Sequence, residues 1–156
     1  MKYAEFVRIA KLLNEDLQIK PLLFGSLGLE RRLDTDLNAD DIDVLVPERF
    51  VGGDWDRLLA LMTAQGYSLY DQQEHAFEKD GVSVAFASLE SLEPFVGVDI
   101  AAIPTVTDSG AEYLLLGLED YLKVYQASSK DGYRRDVKNK QDQAKIDLII
   151  NRLTNR

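Results

Sequence analysis

The segment Asp41-Ile42-Asp43-Val44-Leu45-Val46, closed by Pro47, constrains this chain more than any other stretch. Its polar–apolar alternation followed by a proline is the pattern of a β-strand with a buried face. Side chains at i and i+2 leave a strand on the same side, so Asp41 and Asp43 project together while Ile42, Val44 and Val46 turn to the core. Two neighbouring carboxylates repel each other unless something positive lies between them. A divalent cation answers that need, and hard oxygen ligands suit Mg²⁺.

The remaining pattern places this strand in a mixed fold. Apolar spacing predicts a helix over 3–14, a short buried strand over 21–24, a short helix over 27–33 and a polar loop over 34–40. A helix over 55–65 follows, with Asp54 as its cap and Gly66 at its end. Strands are expected over 67–70 and 95–102, and a hairpin over 75–79 and 82–87 turns on Asp80-Gly81. From Glu112 onward the pattern reads as helical, over 113–128 and 141–153. The expectation is one α/β (α+β) domain, a mixed β-sheet flanked by helices. Its core spans about 1–108, and a helical C-terminal arm spans about 111–156.

Composition narrows the partners. The 156 residues suffice for one compact domain, and 46% of them are hydrophobic against 29% charged. No apolar run is long enough to cross a membrane, and charges interrupt the stretch where a signal peptide would be apolar. No cysteine is present, which excludes thiol catalysis and a Cys-ligated zinc, and a cytoplasmic location is the default. The net charge of −9 disfavours long nucleic acids, whose phosphates would be repelled. The charge is unevenly distributed: residues 1–120 carry a net −14 and residues 121–156 a net +5.

Two further features bear on chemistry. Gly25-Ser26 follows the first strand and opens a helix, where glycine lets a phosphate approach the backbone and serine adds a hydroxyl. Asp99 sits in the apolar run Val96-Gly97-Val98-Asp99-Ile100-Ala101, where an unpaired buried carboxylate would be costly. Metal ligation on a neighbouring strand relieves that cost, and so does a strand-end position bonded to loop amides.

An apolar strand, Gly-Ser, a short helix and then Asp-hydrophobic-Asp resembles the polymerase-beta-like nucleotidyltransferase superfamily. Phe24-Gly25-Ser26 and Asp41-Ile42-Asp43-Val44 carry the resemblance over about residues 20–46. Asp99 fits the distal third carboxylate. The run from Arg135 to Asp142, followed by Asp147, looks like the C-terminal segment of the toxin or abortive-infection branch. The resemblance implies binding of a nucleoside triphosphate with Mg²⁺ and transfer of its nucleoside monophosphate to an acceptor hydroxyl. The acceptor, whether small molecule, tRNA or protein, stays open. The implied metal and catalytic residues are Asp41, Asp43 and Asp99, the third helping to deprotonate the acceptor. Gly25 and Ser26 are the implied phosphate cradle. One departure stands out: 14 residues separate Ser26 from Asp41, more than the superfamily usually shows, so an extended loop is expected.

Competing readings accompany these. Lys138, Lys140 and Lys145 would complement a triphosphate, or pair on helix surfaces with Asp136, Asp142 and Asp147. Asp34-Thr35-Asp36-Leu37-Asn38 begins like a calcium loop but places Ala39 where glycine is needed and Leu45 where glutamate is needed. His75 is the only histidine and reads as a hairpin residue, while Trp55, Tyr113, Tyr121 and Tyr125 read as core. The alternatives to an enzyme are a catalytically inactive module holding a nucleotide, or a toxin–antitoxin component acting through a protein partner.

Overall fold

The computed structural model describes residues 2–129 and 139–155. Lys138 lies outside them, as do Arg135 and Asp136, and Lys140 is described only in its helical backbone. Seven strands form one mixed sheet: β1 (Leu22–Phe24), β2 (Ile42–Val46), β3 (Ser68–Asp71), β4 (Ala76–Lys79), β5 (Val82–Ser88), β6 (Thr105–Asp108) and β7 (Ala111–Leu114). Their order across the sheet is β3-β4-β5-β2-β1-β7-β6. The central strand β2 runs antiparallel to β1 and parallel to β5. The helices are α1 (Lys2–Leu12), α2 (Gly25–Leu33), α3 (Trp55–Ala64), α4 (Leu92–Val96), α5 (Leu118–Ser129) and α6 (Asn139–Thr154). This is a mixed α/β architecture, as expected. Among the described residues no helix is long and apolar enough to cross a membrane.

The alternation in β2 sorts the two sheet faces. Ile42, Val44 and Val46 are buried on one face beside Val84 and Phe86 of β5. That face packs beneath α1, where Phe6 meets Tyr113 edge-on, and beneath α3, where Trp55 packs on Phe77. Asp43 and Leu45 point the other way, and so do their β5 neighbours Ala85 and Ala87. The β4–β5 hairpin turns on Asp80-Gly81, both at positive φ (51° and 80°), as a two-residue type I′ connection requires.

Several expectations are corrected. The segment 95–102 is not a strand: α4 ends at Val96, Gly97 takes φ 71°, and Ile100–Ala102 forms a 3₁₀ turn. Pro94 sits in the first turn of α4, and Gly97 ends that helix inside a run whose composition looks extended. Residues 111–114, expected to lie in the arm and to start its helix, form β7, which joins the sheet beside β1. Buried Ala111 and Tyr113 flank exposed Glu112, so the local period is two, and α5 starts only at Leu118. Asp54 precedes α3 without a side-chain cap bond; its carboxylate lies 3.7 Å from Arg49.

Candidate active site

Strand β1 ends at Phe24, which pairs with Asp43 across the antiparallel ladder. The chain then enters α2 at once through Gly25, whose φ of +64° is left-handed backbone. A Cβ placed on Gly25 would lie 2.5 Å from Asp43 Oδ2. The helix start is therefore pressed directly onto the carboxylate. The N–H groups of a first helical turn have no partners within the helix, so this end of α2 offers donors to an anion beside an acidic side chain.

Gly25, Ser26, Asp41 and Asp43 line one cavity of about 640 Å³. Its floor is the sheet, where Ala85 stands beside Asp43 and Ala87 beside Leu45. Its roof comes from α5 and α6, through Tyr121, Tyr125 and Lys145 among others. The Lys145 ammonium lies 5.4 Å from the centre of the Tyr125 ring, a cation–π arrangement. Tyr121 donates its hydroxyl to the carbonyl of Leu23 at 3.0 Å. Burial holds that phenol well above its usual pKa.

Four sequence-predicted residues thus meet in one place, with Lys145 on the opposite wall. Asp99 does not join them. It is exposed, and its carboxylate accepts the N–H of Ala101 at 3.1 Å as the cap of a 3₁₀ turn. The loop-amide alternative describes it, and the third-carboxylate role does not. Among the described residues no three acidic or imidazole side chains converge as a metal cluster would. Asp41 and Asp43 still fit Mg²⁺ by donor chemistry, because this ion is commonly held by one or two carboxylates with phosphate oxygens and water filling the rest.

Sequence reasoning missed Glu74, in the turn before β4, which lines the same cavity. It also assigned Tyr121 and Tyr125 to the core alone. Both are buried, and both border the cavity. His75 packs edge-on against Trp55 with ring centres 4.6 Å apart, as a hairpin residue would. The segment 34–41 is a loop leading into β2, not half of a helix–loop–helix calcium site.

No family model matches the chain. The fold is shared with solved nucleotidyltransferase structures. The solution structure of the antibiotic-resistance factor ANT(2'')-Ia matches with a TM-score of 0.62 at 16% identity, covering 98% of this chain and 86% of that one. ANT(2'')-Ia in complex with adenylyl-2''-tobramycin matches at 0.61 and 13% identity, covering 98% and 90%. An antigenic nucleotidyltransferase-like protein from Paracoccidioides brasiliensis matches at 0.61 and 19% identity, covering 94% of this chain and 74% of that one. In sequence, the chain is 44% identical over 147 residues to the uncharacterized protein YnaI of Bacillus subtilis (strain 168), with 94% of each covered. With that identity over nearly its whole length, the chain belongs to the YnaI family and carries the nucleotidyltransferase fold.

Proposed function

We propose that the chain binds a nucleoside triphosphate with Mg²⁺ in this cavity and transfers the nucleoside monophosphate to an acceptor hydroxyl. The observation that supports the reading is the close approach of the first turn of α2 to Asp43, where the helix N–H groups would meet a phosphate beside a carboxylate suited to Mg²⁺. Asp41 and Asp43 would hold Mg²⁺, whose charge offsets that of the triphosphate. Gly25 lets the backbone approach the phosphates, and Ser26 and Lys145 supply a hydroxyl and a cation. In the transfer, the acceptor oxygen bonds to the α-phosphorus as the bond to pyrophosphate breaks, and the hydroxyl proton passes to water. The test is pyrophosphate release, screened with labelled nucleotides against aminoglycosides first, given the neighbour that carries adenylyl-2''-tobramycin, then against tRNA and proteins. Mg²⁺-dependent release by the wild type, abolished in Asp41→Asn, supports the reading.

One observation favours a second reading. The β5 positions beside Asp43 and Leu45 are alanines, and Asp99 is elsewhere, so a third carboxylate for proton removal is absent from the strand next to the pair. A module that holds a nucleotide without turnover, or a toxin–antitoxin component acting through a protein partner, would need only the binding half of the site. Tight Mg²⁺-dependent nucleotide binding with no release for any acceptor class is its signature.

A further inference from the structure

We infer that Glu30 is a positioning residue that holds Asp41 in place relative to the phosphate subsite at Ser26; the inference rests on the nucleotide-binding reading above. Ser26 and Glu30 are four residues apart on α2 and so share a helix face. Ser26 borders the cavity, while Glu30 reaches the loop that crosses from α2 to β2. Oε1 of Glu30 accepts the N–H of Leu37 at 3.1 Å and that of Ala39 at 3.2 Å. The backbone carbonyl of the same residue accepts the N–H groups of Asp34 and Thr35. The N–H between the two gripped ones, that of Asn38, goes to Asp36 Oδ1 at 2.8 Å.

A single residue of α2 therefore takes four of the loop's amide hydrogens. This matters because the crossing is long. Without such anchors, seven residues between Leu33 and Asp41 would be conformationally loose, and fixing each one costs entropy. The anchored residues Leu37 and Ala39 border the cavity, and the chain reaches Asp41 two residues after Ala39. Asp43 is held by the sheet ladder, but Asp41 precedes the first residue of β2 and depends on this loop. Glu30 thus ties the loop-borne carboxylate to the helix that presents Ser26.

Both side-chain bonds end on one oxygen, which separates reach from charge. A glutamine keeps an acceptor oxygen at the same distance, whereas an aspartate keeps the charge but falls one methylene short. The test is isothermal titration of the four common nucleoside triphosphates, with and without Mg²⁺, on the wild type, Glu30→Gln, Glu30→Asp and Asp41→Asn. Glu30→Asp is expected to lose about ten- to a hundredfold of the Mg²⁺-dependent affinity, the usual scale for groups that orient metal ligands, and to keep the Mg²⁺-free affinity. Glu30→Gln stays within about threefold of the wild type, because its acceptor keeps the same reach and bonds about half as strong as the charge-assisted ones still fix the loop. Amide hydrogen exchange at Leu37 and Ala39 speeds up in Glu30→Asp only. Glu30→Asp binding as the wild type does, or Glu30→Gln failing as badly as Glu30→Asp, overturns the inference while the Asp41→Asn loss leaves the nucleotide reading standing. A wild type to which Mg²⁺ adds no affinity overturns the nucleotide reading itself, and the role of Glu30 with it.

Discussion

Gly25 and Asp43 approach so closely that any side chain at position 25 would occupy the space of the Asp43 carboxylate: an added Cβ would sit 2.5 Å from Oδ2. The positive φ of Gly25 adds a second reason for glycine there, because an L-residue is strained in that region. Gly25→Ala is therefore expected to cost about 1–3 kcal/mol of stability through backbone strain alone. It should also move Asp43 and weaken Mg²⁺-dependent nucleotide binding. A urea midpoint and a binding titration close to those of the wild type would show that neither the close contact nor the backbone matters.

Asp43 itself separates binding from folding. Mg²⁺ with a nucleoside triphosphate stabilises only the folded chain and should raise the melting temperature as its concentration increases. Asp43→Asn removes one hard ligand while keeping nearly the same shape, so the ligand-induced rise should shrink sharply. The shift is read against each protein's own metal-free melting temperature. Equal ligand-induced shifts in both proteins would remove this cavity from consideration as the nucleotide site.

What was legible in the sequence was local. The Ile42–Val46 strand, the Gly25-Ser26 helix start and the Asp80-Gly81 turn each follow from short-range sterics, and each lies where the pattern puts it, with Asp41 just ahead of the strand. The errors came where tertiary context overrode local pattern. The run around Asp99 looks like a strand by composition, yet Gly97 ends α4 in left-handed backbone and a 3₁₀ turn follows. Tyr113 fits a helical spacing with Tyr121 and Tyr125, but pairing of its strand with β1 and β6 takes precedence. No periodicity announces Glu30 as a loop anchor or Glu74 as a cavity residue, because their roles depend on segments that meet only in the fold.

Three tyrosines are expected to lower stability at alkaline pH. Tyr3 donates to Asp108 at 2.6 Å, Tyr67 donates to Glu5, and Tyr121 is fully buried with its hydroxyl on Leu23. Burial first, and for Tyr3 and Tyr67 the bonded carboxylates, push all three phenols above their ordinary value of 10.0. A pKa raised by folding stabilises fully below the unfolded value and is lost as pH climbs beyond it, because the unfolded phenol releases its proton first. The urea midpoint should therefore be steady between about pH 8 and 9.5 and fall steeply above about pH 10, the pKa of an unfolded tyrosine. Tyr67→Phe should flatten that fall. Parallel curves for the wild type and Tyr67→Phe would exclude Tyr67 from the effect.

Asp99 provides the sharpest contrast between the resemblance and the fold. As the third carboxylate it would accept the acceptor's proton, and its loss would slow transfer by about 10²–10⁴ while sparing ground-state binding. Its actual place is exposed, with its carboxylate on the Ala101 N–H and no share in the cavity that holds Asp41 and Asp43. Asparagine caps such a turn about as well as aspartate does. Asp99→Asn should therefore leave both Mg²⁺-dependent nucleotide binding and any pyrophosphate release within about twofold of the wild type, since surface changes of this kind seldom exceed about 0.5 kcal/mol. Asp41→Asn, measured alongside, should lose both. A hundredfold loss of turnover in Asp99→Asn with nucleotide binding intact would mean that the 97–103 turn swings to the cavity during the reaction, restoring the third carboxylate to Asp99.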